Sequence, residues 1–299
     1  TVEYDIIPIN IYKRMMEVVW DYGEPGCIFT NKFRNYNFLE YDDEYQIDTS
    51  NPCGEQPLKS KACCNLGSLN LYEFVIYPFT NHARFDFDAF DEAIRVASNA
   101  LDNIIDENAE RLPKEMHEYA ENAKNWRNIG LGVFGYADML MALRIRYGSD
   151  DAIAFTNRLF NFMMCKAIKW NQIRAHNQDT YPKFKRDMVY KSEIFNKHDE
   201  YASRDIGFRN CSLLSIAPTG SIGTMMGLSG GIEPEFALSY TRRTDNLNEE
   251  YKIEARVVKD YRKMTHDNSE KLPQYFVTSA EIPWKSRIDT QSTIQSHID

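Results

Sequence analysis

The sequence predicts an α/β fold, on three observations. Short apolar runs of strand type recur along the chain, among them NLGSLNL (65–71), NIGLGVF (128–134) and CSLLSIA (211–217). Between them lie longer stretches whose apolar residues repeat at helical spacing. Strands and helices are intermixed rather than segregated, with no internal repeat and no low-complexity linker to mark a boundary.

Taken in order, IPINIYKRMMEVVWDY (7–22) reads as an amphipathic helix, stopped by the turn GEPG. CIFT (27–30) is a short apolar run of strand type, and residues 31–51 are polar and aromatic without periodicity. NLGSLNL alternates as a strand. Asp88 is placed as the N-cap of a helix whose buried face carries Phe90, Ile94, Ala97, Leu101 and Ile105. The run 127–135 enters a second helix at 137–143. Ser149 and Asp150 open a long helix through about Ala175, with Phe155, Leu159, Phe162, Met163 and Ala167 inward. Residues 181–205 give no clear period. CSLLSIAPTGSIG (211–223) is a buried-type strand running into a glycine-bearing turn, and GGIEP (230–234) is another turn. Residues 249–264 read as a charged, solvated helix, and FVTS (276–279) as a last short strand.

The 299 residues carry a net charge of −9, which argues against direct DNA or RNA binding, because phosphate neutralisation needs a basic surface. A pocket for one phosphorylated small molecule needs only a few residues and stays open. No apolar stretch approaches a membrane span, and TVEYDI has no basic region followed by an apolar core, so neither an anchor nor a signal peptide is expected. Six irregularly spaced cysteines in such a chain are expected as reduced thiols in the cytoplasm. Without a C-x-x-C pair or paired Cys/His spacing, no metal site is expected.

Cys27 and Cys165 sit among apolar neighbours and are expected to be buried. Cys53 is different, because NPCGEQPL (51–58) surrounds it with turn formers that suit a stiff, exposed loop. Glu55 lies two residues on, and in a pocket desolvation would raise its pKa toward that of a general base. Asn51 is placed to hold a hydroxyl. A surface turn with a solvated glutamate fits the same residues equally well. Cys63 and Cys64 are either a strand pair, one facing in and one out, or part of a redox site. APTGSIG (217–223) is either a nest of backbone amides for a phosphate or an ordinary turn. Arg242 and Arg243 are expected to be solvated.

NPCGEQPL, CNLGSLNL (64–71), IGLGVFG (129–135), LSIAPTGSI (214–222), GIEP (231–234) and FVTSAEIP (276–283) together resemble the catalytic subunit of ribonucleotide reductase, in the family's order. The NPCGEQ form and the short gap from Cys53 to Cys64 are more similar to the adenosylcobalamin-dependent (class II) enzymes than to class I. The resemblance implies a single partial catalytic domain over 1–299, part of a ten-stranded α/β barrel of two antiparallel halves with a central finger loop. It implies Cys53 as the thiyl radical, Glu55 as the base for the 3′-hydroxyl and Asn51 as a hydrogen-bonding partner of the sugar. Cys64 is implied as one of two reducing cysteines, and Pro218, Thr219, Gly220, Ser221 and Ile222 as the loop for the substrate phosphates. The expected ligands are adenosylcobalamin and a ribonucleoside di- or triphosphate, with a thioredoxin-like reductant. The second reducing cysteine, the effector-site loops and a C-terminal serine- and lysine-bearing segment of the family are expected outside this sequence, on a complementing segment or chain. The alternative is a non-catalytic, nucleotide-binding half-barrel that partners a full reductase.

Overall fold

The structure, a computed structural model, describes residues 8–244, 249–267 and 269–299. Helix α1 (Pro8–Tyr22) forms as its period predicts, with Pro8 in the first turn, where its missing N–H is not needed. Ile7, the expected first residue, lies outside the described residues. Gly23 at φ 74° ends the helix in the left-handed conformation that glycine adopts without strain. No residue of α1 is buried, and Trp20 is 90 % exposed. The strand expected at 27–30 is absent. Those residues have no pairing segment, and α2 (Thr30–Arg34) begins within them. Cys27 is exposed rather than buried.

Residues 35–48 are irregular, as expected, yet they anchor the fold through Phe38, Leu39, Tyr45 and Ile47, all buried. Phe38 packs edge-on against Phe208 at 5.1 Å and Tyr45 against Trp126 at 4.8 Å. Strands β1 (Thr49–Ser50) and β2 (Pro57–Leu58) form a hairpin around the Cys53 loop. Strand β3 (Asn65–Asn70) follows, then a 3₁₀ turn (Leu71–Phe74) and the short antiparallel pair β4 (Val75–Ile76) and β5 (Arg84–Phe85).

Helix α3 (Phe87–Arg111) is capped by Asp86, whose Oδ1 accepts the Ala89 N–H at 3.0 Å. The expected cap, Asp88, lies two residues beyond it in the first turn, where its charge still suits the helix N-terminus. After α4 (His117–Trp126) comes β6 (Ile129–Phe134), buried at all six positions. It pairs in parallel with β3, from Asn65 opposite Ile129 to Asn70 opposite Phe134. Parallel neighbours need a long crossover, and α3 with α4 supply it. The segment 211–215 adds a third parallel line on β6. Leu131 N–H donates to Leu213 O at 2.9 Å and Ser215 N–H to Leu131 O at 3.2 Å. Burial on both faces explains the unbroken apolar reading of β6.

Two glycines of β6 set that approach. A Cβ on Gly130 would lie 2.6 Å from Leu66 Cδ2 and 2.7 Å from Gln56 Nε2, and one on Gly132 would overlap the Ser215 carbonyl. Gly132→Ala is therefore expected to push the 211–215 segment off β6, lowering the urea midpoint by 1–3 kcal/mol equivalent, about the range for overpacked cores. An unchanged midpoint would mean the contact is not close-packed.

Helices α5 (Tyr136–Ala142) and α6 (Asp150–Gln178, capped by Ser149) follow as the sequence predicts. Residues 181–205 hold only α7 (Arg186–Val189) and α8 (Glu193–Lys197). Helix α9 (Gly220–Met226) continues the APTGSI turn. The charged helix expected at 249–264 is half strand. β7 (Ser239–Thr244) and β8 (Glu249–Glu254) form an antiparallel hairpin, and only α10 (Arg256–Thr265) is helical. Cross-strand pairing, invisible to a local period, decides that segment. Of the arginines at 242 and 243 only the backbone is described. FVTS forms no strand. Phe276 and Val277 are buried, Thr278 and Glu281 close a capping box over a 3₁₀ turn, and α11 (Trp284–Gln295) ends the order.

The α/β expectation is met. The described residues form four two-stranded sheets and no closed one. No helix among them is long and apolar enough to cross a membrane.

The last residues are fastened by a buried pair of imidazoles. His198 Nδ1 lies 2.8 Å from Ile194 O, its Nε2 lies 2.8 Å from His297 Nδ1, and His297 Nε2 lies 2.8 Å from Asn157 Oδ1. Burial pushes His198 down to about 4 and His297 down to about 3, so both rings are neutral at pH 7. The unfolded chain takes up the second ring proton of each histidine more readily. The stabilisation is complete above about pH 6.5 and is lost as pH falls toward 4, on the order of 3 kcal/mol for His198. Urea unfolding from pH 7 to 4 is expected to reveal this slope, and His297→Gln to make it shallower by removing one of the two titrating rings. Equal slopes in both proteins would assign acid sensitivity elsewhere.

Candidate active site

The Cys53 loop is organised by Asn51. Its Oδ1 accepts the Gln56 N–H at 3.0 Å, its carbonyl accepts the Gly54 N–H at 3.0 Å, and its own N–H donates to Gln56 O at 3.4 Å. Gly54 sits at φ 83°, which the tight turn requires. Cys53 is exposed at the tip. The Nδ2 group of Asn51 makes no hydrogen bond among the described residues, so a ligand hydroxyl can accept from it.

Glu55 is anchored by its backbone. Ser215 Oγ donates to the Glu55 carbonyl at 3.0 Å, and Gln56 is buried against Gly130. The Glu55 side chain is half-buried, and its Oε2 is shielded from water with no partner. A carboxylate oxygen in that state is incomplete and ready to receive a hydroxyl.

Cys63 is exposed and Cys64 half-buried, the in-and-out pattern expected of adjacent residues, although both precede β3 rather than lying within it. Burial pushes the Cys64 thiol well above its usual range, and the nearby Asp299, Cys63 and Glu55 groups push the same way. Cys64 is therefore a neutral thiol within electrostatic reach of Glu55. Two residues that sequence reasoning passed over share this neighbourhood. Cys211 is fully buried, and the Asp299 carboxylate accepts the Leu213 and Leu214 N–H groups at 2.8 Å each. Burial pushes Asp299 up to about 7. Nothing local marks either one; parallel pairing of 211–215 with β6 brings them beside Cys64.

Four residues beyond Ser215, Thr219 turns at φ 50° into α9. Its Oγ1 accepts the Gly231 N–H at 2.7 Å, which ties the turn to the next one. The N–H groups of Gly220, Ser221 and Ile222 open the helix, and no side chain caps them. Pro218, Gly220, Ser221 and Ile222 are exposed. Ser215 is three residues from Pro218, at most about 11 Å of chain, so the Cys53 loop and this turn lie at one end of the sheet. Among the described residues no group of three or more His, Cys, Asp or Glu could hold a metal ion.

A hairpin carrying Cys53 and Glu55, a half-buried thiol just ahead of β3 and a turn of free amides form a constellation that can be compared with known proteins. Residues 3–299 match the family described as "Ribonucleotide reductase, barrel domain". The chain belongs to the ribonucleotide reductase barrel-domain family. It is similar to the vitamin B12-dependent ribonucleoside-diphosphate reductase of Thermoplasma acidophilum, 30 % identical over 97 % of this chain and 37 % of that protein. It is also similar to the enzyme of that description in Mycobacterium tuberculosis, 34 % identical over 74 % of this chain and 28 % of that protein. The alpha subunit of the class Id ribonucleotide reductase of Actinobacillus ureae shares the fold, with a TM-score of 0.72 at 21 % identity over 97 % of this chain and 54 % of that one. The chain thus spans well under half the length of the curated reductases it matches.

Proposed function

We propose that this chain is the finger-loop portion of a ribonucleotide reductase catalytic subunit, a single partial domain of a ten-stranded barrel that reduces a ribonucleoside di- or triphosphate in the cytoplasm. The observation that carries the reading is the joint geometry of Cys53, Glu55 and Cys64: an exposed thiol on a rigid loop, a carboxylate oxygen lacking its partner, and a neutral thiol beside it.

In this reading the Cys53 sulfur, as a thiyl radical, takes the hydrogen atom from C3′ of the ribose. Glu55 Oε2 receives the proton of the 3′-hydroxyl, and Asn51 Nδ2 holds the sugar. The 2′-hydroxyl leaves as water. Cys64 and a second cysteine, contributed by the remaining length of the subunit, give two electrons and two protons and close into a disulfide. Hydrogen return from Cys53 to C3′ completes the deoxyribonucleotide and restores the radical. Gly220, Ser221 and Ile222 amides, with Pro218 and Thr219 shaping the turn, receive the phosphates. A thioredoxin-like dithiol then reduces the disulfide by exchange.

Adenosylcobalamin is the proposed cofactor, by likeness to the B12-dependent relatives. When bound, it supplies an organic radical able to oxidise a thiol. It brings its own metal in a macrocycle, so it asks of this chain no ligand cluster, only an accessible thiol, and Cys53 is exposed. The test is reconstitution. The complete subunit with adenosylcobalamin, a dithiol and a ribonucleoside diphosphate is expected to form deoxyribonucleotide. Nucleotide binding without turnover under those conditions would favour the non-catalytic, nucleotide-binding half-barrel.

A further inference from the structure

A second acidic site lies behind the phosphate turn, and neither the radical nor the reducing chemistry uses it. Asp138, on α5, is 0 % exposed. Its Oδ2 accepts both the N–H of Ser229 at 2.8 Å and the Ser229 hydroxyl at 2.7 Å. Its Oδ1 is equally buried and has no donor among the described residues. A wholly buried carboxylate with one bare oxygen is costly unless something gives it a proton. Glu235, half-buried, carries its carboxyl within hydrogen-bonding reach of Asp138.

We propose that Asp138 and Glu235 share one proton, Glu235 donating its carboxyl O–H to Asp138 Oδ1, and that this pair braces the turn on which the phosphate-receiving loop rests. The pair then carries one negative charge. Burial, with the charge of Asp138 beside it, pushes Glu235 up to about 8, in keeping with a retained proton at neutral pH.

The mechanical connection is short. Gly135 N–H donates to Ser229 O at 2.9 Å, Leu228 N–H donates to Gly223 O at 2.9 Å, and Gly223 N–H donates to Thr219 O at 2.8 Å. Gly231 N–H donates to Thr219 Oγ1. A Cβ on Gly230 would lie 2.8 Å from the Pro218 carbonyl, so the two turns are in close contact. Ser229, held by Asp138, thus fixes the 228–231 turn and with it Thr219 and the amides of Gly220 to Ile222. On the far side of Glu235, Ser279 N–H donates to its carbonyl at 2.7 Å. Asp138 and Glu235 are positioning residues.

The other ionisable groups around the pair are engaged elsewhere. Tyr72 faces Asp138 from the 3₁₀ turn but donates to Asp260, which Arg256 also pairs. Glu233 of the same loop pairs with Arg287 of α11. Glu281, near Ser279, is bound by Thr278. Asp138 is the one charged group among the described residues that acts on Glu235.

The consequence follows from proton counting. A turn that opens releases Glu235 to water, where it ionises as an ordinary carboxyl; closed, it keeps its proton up to about pH 8. Opening therefore becomes about tenfold easier per pH unit between the two pKa values and then levels off. Hydrogen exchange of the 228–235 segment in the complete subunit, corrected for base catalysis, reads this directly and requires no turnover. The wild-type protein is expected to show that tenfold-per-unit rise up to about pH 8. Glu235→Gln, which keeps a donor for Asp138, is expected to be flat, and Asp138→Asn, which offers Glu235 an amide donor, likewise flat. A wild-type protein with a flat profile overturns the proposal whether or not the variants fold.

The role in phosphate binding rests on the proposed function, and a second measurement separates the two. Equilibrium binding of a ribonucleoside diphosphate is expected to weaken from pH 7 to 9 in the wild type and to hold steady in Glu235→Gln. Absence of nucleotide binding at every pH would overturn the phosphate-site reading and leave the exchange result standing. Equal weakening in both proteins would overturn the brace.

Discussion

Cys53→Ser in the complete, reconstituted subunit is expected to lower deoxyribonucleotide formation by roughly 10⁴-fold or more, to the assay floor. A hydroxyl is a far poorer hydrogen-atom donor than a thiol, so the serine oxygen cannot be converted into the species that attacks C3′. The substitution should cost the fold nothing. Cys53 is exposed, and the loop is shaped by Asn51, Gly54 and Gln56 and pinned by Ser215, through hydrogen bonds that do not involve the sulfur. Thermal unfolding of the variant should therefore coincide with that of the wild type. Glu55→Gln is expected to be milder, because it preserves shape and removes only the proton acceptor. Asn51→Ala should damage both activity and the loop, since its Oδ1 holds the Gln56 N–H.

The largest effect on stability is expected at Asp102. This carboxylate is fully buried and accepts from Arg127 Nε at 3.0 Å, Arg209 Nε at 3.1 Å and Asn210 Nδ2 at 2.7 Å. Its backbone carbonyl accepts from Arg127 Nη2 at 3.1 Å. The cluster joins α3 to the left-handed residue ahead of β6 and to the segment leading into 211–215. Asp102→Ala would leave Arg127 and Arg209 with Asp106 as their remaining carboxylate, and Asp106 is half-exposed. Arg174 stands nearby with Nε and Nη1 already unpartnered, and burial pushes it down to about 10. Removing one partner of a buried ion pair costs about 3–5 kcal/mol, because the surviving charges cannot be rehydrated. Urea unfolding should show that loss as a lower midpoint at constant slope. A change below about 1 kcal/mol would mean that water reaches the cluster.

Much of this architecture was legible where local sequence carries the deciding physics. The long apolar period from Ser149 and the unbroken run of β6 each specify an element from within. So did the Cys53 loop, because prolines, a glycine and an asparagine leave a short chain few conformations. What sequence could not reveal depends on partners far along the chain. EEYKIE joins a hairpin because SYTRRT lies beside it, although its charge pattern suits a helix equally well. Asp86 rather than Asp88 caps α3 because tertiary entry from β5 sets the first turn. Cys211 and Asp299 reach Cys64 through parallel pairing, and Asp138 reaches Glu235 across almost a hundred residues. Family resemblance named Cys53, Glu55 and Cys64; geometry adds the bare, buried carboxylate oxygens of Glu55 and Asp138.

The central claim is that the Cys53 sulfur removes the hydrogen at C3′. Turnover of a 3′-deuterated ribonucleoside diphosphate by the complete subunit, with adenosylcobalamin and a dithiol, tests it most directly. The predicted result is deoxyribonucleotide retaining deuterium at C3′, formed more slowly than from the protiated substrate and only when Cys53 is present. Product formed at equal rates from the two substrates, or formed by Cys53→Ser, would contradict it.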